Sequence, residues 1–308
     1  MRPKVTVVGA GATGGSTARR VAARGYADVV LLDIMADFAA GKALDLNQAG
    51  SLVGYPPNIV GTGSYEDTRG SSVCVITSGF PRKPGMSRDD LLLGNKEIIE
   101  IVVEKLLDES PDTILVILTN PMDAMAQLAL HVSGLPRQKV IGQGGILDTA
   151  RYRTFIAWEL GVAADDVSGF VLGGHGDTMV PVPSYTSVAG IPVTELIDAD
   201  RLEEIVQRAR DGGAEVGGLM KVASAFEAPG EACAMMVDSI MLDQKRIFPC
   251  AVQLEGEFDI DGTFVGVPVK LGSGGVEQIM PLKLSSTEIS DLKKSADAVV
   301  ELVKIMGI

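Results

Sequence analysis

Directly after the apolar stretch Val5–Val8 the chain runs Gly9-Ala10-Gly11-Ala12-Thr13-Gly14 and passes into a helical pattern. A strand, a glycine turn and a helix in that order leave few folds open. Gly9 would allow the tight turn, Gly11 would let the backbone come close to a pyrophosphate, and Gly14 would let helix and strand pack closely. The unpaired N–H groups and the dipole at the helix start favour an anion there. The glycine pattern alone is weak, and its position between strand and helix makes it specific.

A second apolar run, Val29–Leu32, ends at Asp33, at about the ~20-residue distance where such folds place a carboxylate to accept from the adenine ribose hydroxyls. That charge would repel a 2′-phosphate, and neither Arg nor Lys follows it immediately. NAD is therefore favoured over NADP. The plainer reading is a surface carboxylate beside a glycine turn that binds nothing.

Strand-like runs at Val73–Ile76, Ile114–Leu118 and Lys139–Ile141 alternate with helical patterns at Thr13–Arg24, Asn95–Leu107 and Met122–Val132. Alternation of this kind predicts an α/β fold with a doubly wound parallel Rossmann sheet. After Gly145 the pattern changes to a helix at Thr149–Leu160 and short strand-like pieces at Phe170–Leu172 and Met179–Val182. Long helical stretches follow at Arg201–Lys221 and Cys233–Asp243. Asp261-Gly262, between strand-like runs Ala251–Phe258 and Thr263–Val269, predicts a hairpin. Ser285 and Glu288 form a capping-box pattern ahead of a final helix carrying Ile289, Leu292, Ala296 and Val303 on one stripe. With 308 residues the chain exceeds the usual compact unit. It is expected to divide into a cofactor domain over residues 1–145 and a mixed α+β substrate domain over 146–308, with the chemistry in the cleft between them.

A formal charge of −13 argues against nucleic acid or an anionic membrane surface as partner, since both need basic patches. Any acidic substrate must then be met by locally placed arginines. Cys74, Cys233 and Cys250 are odd in number and far apart, which fits reduced core thiols rather than a disulfide framework or a zinc knuckle. No run reaches the length of a membrane span, and the apolar start dissolves into glycines rather than a signal-peptide cleavage pattern. A cytoplasmic location is the expectation.

The chain has two histidines. His175 lies in Gly173-Gly174-His175-Gly176-Asp177-Thr178, a turn that suits an imidazole beside a ligand. His131 lies in a helical segment and reads as a structural or surface residue. Arg82 and Arg88 fall on Phe80–Asp90, where Pro81, Pro84 and Gly85 fit a lid between strand and helix as well as they fit a solvated charged loop.

The segments VVGAGATGG, TSGFPRKPGMSRDDLL, LTNPMD, GILDTARYR, GGHGDTMVP and FVGVPVKLGSGGVE together resemble the lactate and malate dehydrogenases, and within them the lactate-dehydrogenase-like malate dehydrogenases. They occur in family order with family-like spacing over nearly the whole chain. The resemblance implies that His175 is the proton acceptor and Asp148 its partner. It implies that Arg151 anchors the substrate carboxylate, that Arg88 polarises the reacting carbonyl oxygen, and that Arg82 holds the specificity position. An arginine there suits the second carboxylate of malate or oxaloacetate and would be left unpaired with pyruvate. Asn120 is implied to support substrate and nicotinamide, with Leu118, Thr119 and Asn95 lining the cofactor beside the loop residues Gly9, Ala10, Gly11, Ala12, Thr13 and Gly14. Taken alone, Asn95 would read as a helix N-cap. Ala225 and Pro229 match positions near the substrate, and Glu227 departs from the aromatic residue often found at its place.

The resemblance further implies a homo-oligomer, with a tetramer favoured over a dimer, and no metal. Competing readings are a lactate dehydrogenase, a catalytically silent NAD-binding protein and an NAD-assisted glycosidase. The last needs a Cys/His metal site, and no Cys lies near His175 in sequence.

Overall fold

The computed structural model describes residues 2–56, 58–80 and 87–308, the side chain of Arg88 excepted. Its first half runs β1 (Lys4–Val8), α1 (Ala12–Arg24), β2 (Asp28–Leu32), α2 (Ala36–Val53), β3 (Ile59–Thr62), β4 (Ser71–Ile76), α3 (Arg88–Glu109), β5 (Ile114–Ile117), α4 (Met122–Ser133) and β6 (Val140–Gly142). These strands pair in parallel in the order β6-β5-β4-β1-β2-β3, the doubly wound order expected from the alternation. Val5, Val7, Val73, Val75, Leu115 and Val116 are fully buried, because helices cover both faces of a parallel sheet and leave its central strands no solvent side. The order reverses between β1 and β4, so a crevice opens above the ends of those two strands.

The second half continues with α5 (Gly144–Leu160), β7 (Val167–Ser168), β8 (Val171–Leu172), β9 (Val180–Pro181), β10 (Ser187–Val188), β11 (Ile191–Pro192), α6 (Val193–Leu196), α7 (Ala199–Met220), α8 (Glu227–Met241), β12 (Arg246–Glu255), β13 (Asp261–Gly272), β14 (Gly275–Ile279) and α9 (Ser286–Met306). Strand β12 meets β6 through an antiparallel bridge, Ala251 to Gly142, and β13 and β14 follow it. The main sheet therefore runs on from the first half into the second. A separate apolar cluster under α5 and α7 holds Tyr152, Ile156, Val167, Leu202 and Ile205. All three cysteines are free and buried.

Several elements depart from the sequence expectations. Strand β3 and helix α2 carry weak signals. The strand is a short edge segment with Gly61 in it, and the buried residues of the helix are the small Ala39, Ala43 and Gly50, which blur a 3.6-residue period. Helix α3 starts seven residues before Asn95, where Ser87 and Asp90 form a reciprocal capping box. The N-cap alternative for Asn95 is thereby overturned. In the β12–β13 connection the reversal is carried by Gly256, Phe258 and Asp259, all with positive φ, whereas Asp261 and Gly262 already belong to β13. At the C-terminus the Ser285–Glu288 capping box forms as expected. Among the described residues no helix is long and apolar enough to cross a membrane.

Helices α1 and α8 join the halves along a close seam. A Cβ on Gly230 would sit 2.5 Å from Ser16 Oγ. Arg20 pairs with Glu227 and Glu231, and Arg24 with Glu231 at 2.8 Å and Asp238 at 3.0 Å. Glu227, the residue that departs from the family pattern, thus meets a cation rather than an aromatic neighbour.

Candidate active site

The glycine turn lies at the crevice, between the ends of β1 and β4. Gly9 has φ +99°, and a Cβ on Gly14 would sit 1.8 Å from Gly9 O, so only glycine lets α1 leave β1 this closely. A Cβ on Gly11 would meet nothing within 4 Å. Gly11 is also the N-cap of α1 and makes no side-chain cap bond, which leaves the first-turn N–H groups to an anion in that open space. Ala12 is exposed and Thr13 half-buried at the same helix start. Asp33 follows β2 and accepts the Ala10 N–H through Oδ2 at 2.7 Å and the Met35 N–H through Oδ1 at 2.9 Å. A dinucleotide fits these residues, since the space at Gly11 is open and Asp33 is only half-buried.

In the second half, where His175 and Met122 both pack against Gly144, His175 Nδ1 lies 2.8 Å from Asp148 Oδ2, and Asp148 Oδ1 accepts from Arg151 Nη1 at 3.1 Å. Asp148 and Arg151 are three apart on α5 and so share a face. His175 comes from the turn between β8 and β9. The carboxylate is 2 % exposed and the imidazole 14 %, so their pairing is little screened by water. Burial pushes the His175 pKa down, but the charge and hydrogen bond of Asp148, with help from the charge of Asp123, outweigh it and hold the value above the ordinary one. A carboxylate on Nδ1 also fixes the tautomer and leaves Nε2 as the nitrogen able to exchange a proton with another group.

The chain matches the NAD-binding-domain model of the lactate/malate dehydrogenases over residues 3–142 and their alpha/beta C-terminal-domain model over 146–305. This chain belongs to the lactate/malate dehydrogenase family. It is 53 % identical to a malate dehydrogenase of Rhodopirellula baltica over 99 % of this chain and 98 % of that one. It is 52 % identical to one of Thermomicrobium roseum, covering 99 % of each. Among solved structures, malate dehydrogenase from Salinibacter ruber superposes with a TM-score of 0.95 at 45 % identity, over 99 % of this chain and 97 % of that one. The lactate dehydrogenase of Cryptosporidium parvum complexed with lactic acid and nicotinamide adenine dinucleotide reaches 0.96 at 38 %, over 100 % and 98 %. The family is an NAD-binding one, and its fold is the one described above.

The remaining expected residues are spread over both halves of the chain. Thr119 and Asn120 follow β5 at the crevice. Thr119 is buried, donating to Ser78 O at 2.5 Å, while Asn120 is exposed and Leu118 half-buried. Asn95 is 1 % exposed and its amide is spent on the backbone: it accepts from Phe80 N at 2.8 Å and donates to Phe80 O at 3.3 Å and to Asn120 O at 2.6 Å. It pins the two chain segments beside the crevice. Arg82 and the side chain of Arg88 lie outside the described residues, although Arg88 opens α3. His131 is exposed, as expected of a surface residue. Ala225 is half-buried ahead of α8, and Pro229 is buried on it.

Sequence reasoning left out three contributors. Lys42 of α2 donates to Ala10 O at 2.9 Å and Gly11 O at 3.0 Å, which braces the glycine turn from behind. Burial lowers its pKa, partly offset by the charge of Asp33. Gly212 of α7 makes room for Arg151, since a Cβ there would sit 2.9 Å from Arg151 Cδ. Asp123 accepts the His175 backbone N–H at 2.7 Å. It stands in the segment LTNPMD, but a carboxylate in a first helical turn reads as an ordinary dipole partner, and nothing in the sequence points it at residue 175.

Proposed function

We propose that this protein is an NAD-dependent malate dehydrogenase, interconverting (S)-malate and oxaloacetate. The observation that carries the reading is the division of one buried carboxylate, Asp148, between His175 and Arg151, facing a crevice suited to a dinucleotide. A proton acceptor and a carboxylate anchor are thereby held on one rigid scaffold. The malate dehydrogenases at 53 % and 52 % identity support the substrate, as does Arg82, whose cation matches a second carboxylate.

In the oxidative direction Arg151 would bind the C1 carboxylate bidentately and Arg82 the C4 carboxylate. Arg88 would face the C2 oxygen, where negative charge develops in the reductive direction, and Asn120 would support both substrate and nicotinamide. His175, neutral and held by Asp148, accepts the hydroxyl proton at Nε2 as the C2–O bond becomes a carbonyl. Bound NAD supplies the acceptor for the hydride that leaves C2. Gly9, Ala10, Gly11, Ala12, Thr13 and Gly14 would cradle its pyrophosphate, Asp33 its adenine ribose, and Leu118 and Thr119 its nicotinamide side, with Asn95 acting through the segments it pins.

The same reading assigns residues 1–145 to the cofactor unit and 146–308 to the substrate unit. It places the enzyme in the cytoplasm and in the tricarboxylic acid cycle, and favours a homotetramer over a dimer. Leu52, Val53, Leu219 and Val222 are 70–96 % exposed, apolar surface that assembly would cover. Light scattering on the purified protein reads the assembly directly.

The deciding experiment compares NADH oxidation with oxaloacetate and with pyruvate, for the natural protein and for Arg82→Gln. Strong preference for oxaloacetate that collapses toward pyruvate in the variant supports the assignment. Preference for pyruvate in the natural protein would overturn the substrate, and turnover of neither would favour a silent binder.

A further inference from the structure

We propose that Asp123 is a positioning residue of the proton relay, a buried carboxylate that holds the backbone of His175 and stabilises its imidazolium form. The proposal rests on His175 being the group that exchanges the proton.

The turn bearing His175 is held from three sides. Gly173 pairs with Gly266 of β13 through two backbone bonds. Gly174 N–H donates to Ser295 Oγ of α9 at 2.7 Å, and His175 N–H donates to Asp123 Oδ2 of α4 at 2.7 Å. Adjacent N–H groups are thus received by a neutral hydroxyl and by a carboxylate. Asp123 is 5 % exposed, and its Oδ1 has no hydrogen-bond partner among the described residues. Burying an ionised carboxylate with one oxygen unpaired is expensive, and holding an N–H does not require it, as Ser295 shows at the next residue.

The charge adds a second carboxylate beside the imidazole. The charged groups acting on that ring are Asp148 and Arg151 from α5 and Asp123 from α4. Helix α9 brings the Ser295 hydroxyl to the turn, and beyond it Asp177 of the turn shares a cavity with Asp291 and Lys294 of α9 and Arg210 and Asp211 of α7. Asp148 and Asp123 favour imidazolium and Arg151 opposes it. Burial pushes the Asp123 carboxyl up to about 6, against the His175 N–H and the imidazole charge, which both lower it. The imidazolium is the form produced by malate oxidation and consumed by oxaloacetate reduction. Asp123 therefore acts on the proton that the relay moves, without touching substrate.

His131 and His175 are the only imidazoles in the chain, so NMR titration resolves the test, with exposed His131 as internal reference. Asp123→Asn keeps an oxygen acceptor for the His175 N–H and removes the charge. The expected result is a His175 titration that falls by roughly half a pH unit or more, with His131 unmoved. The acid limb of kcat/KM for malate moves the same way. Asp123→Ala loses kcat by ~10-fold or more through misplacement, with KM for NAD unchanged. A His175 titration in Asp123→Asn that overlays the natural one would overturn the proposal, even if Asp123→Ala were impaired, because support of the backbone alone would then suffice. In the unmodified protein the His175 amide resonance should show a step from Asp123 besides the imidazole step, and a single step also overturns it. The titrations do not depend on turnover, so they separate this proposal from the malate assignment.

Discussion

Asp148 holds His175 Nδ1 at 2.8 Å with one oxygen and Arg151 Nη1 at 3.1 Å with the other, so a single substitution reaches both proton transfer and substrate anchoring. In Asp148→Asn the amide cannot favour the imidazolium as a carboxylate does, and kcat is expected to fall roughly 10²–10⁴-fold. The pH dependence of stability carries a sign. His175 has a raised pKa in the folded state, so its contribution is fully present below the ordinary imidazole range and is lost as pH rises through the folded value. The stability gap between natural protein and variant in urea should therefore narrow as pH rises above the ordinary imidazole range.

Gly212→Ala tests the anchor without replacing it. The new Cβ would sit 2.9 Å from Arg151 Cδ, and displacing a substrate-orienting guanidinium by even a fraction of an ångström is expected to raise KM for malate by ~10-fold or more. Binding of NADH, followed by fluorescence, should be unchanged, because α7 is remote from the glycine turn.

Removing Asp33 reaches the turn and the ribose together. Its two oxygens accept from Ala10 and Met35, and its charge disfavours a 2′-phosphate. Asp33→Ala is expected to weaken NADH binding by about 10-fold, about 1.4 kcal/mol, and to narrow the preference for NADH over NADPH. Kd values for both cofactors check it.

The α1–α8 seam separates ion pairing from packing. Glu227 is 60 % exposed in its pair with Arg20, so Glu227→Gln should cost at most about 1 kcal/mol and less at high salt. Gly230→Ala places a Cβ 2.5 Å from Ser16 Oγ and should cost about 1–3 kcal/mol by overpacking. Denaturant midpoints of the two variants would reverse in order if charge rather than contact held the halves together.

Burial of Asp123 gives a test independent of catalysis. Its carboxyl is pushed up to about 6, so its contribution to folding turns unfavourable as pH rises toward that value and stays so above it. Asp123→Asn should accordingly match or exceed the natural protein in stability at about pH 8, by up to ~1–3 kcal/mol, and lose that advantage in acid.

The strands β1, β2, β4, β5 and β6 and the glycine turn were legible in the residues because local rules govern them: apolar runs buried on both faces, and a turn that only glycine can make. His175 was singled out by its scarcity, and Asp148 and Arg151 were named through resemblance alone. Strand β3 and helix α2 were not legible, since a short edge strand and a helix packed through alanine and glycine leave little periodicity. The Asp261-Gly262 dipeptide misled for the opposite reason: a good local turn signal was overridden by the pairing of Glu255 with Asp261, which puts the reversal at Gly256, Phe258 and Asp259. The tertiary structure alone decided that Asn95 pins Phe80 and Asn120, that Lys42 braces the carbonyls of Ala10 and Gly11, and that Asp123 lies against residue 175. Each of these joins segments between 15 and 52 residues apart. A local pattern can show what a side chain is able to bond, but the partner at that range is chosen by how the sheet and helices stack.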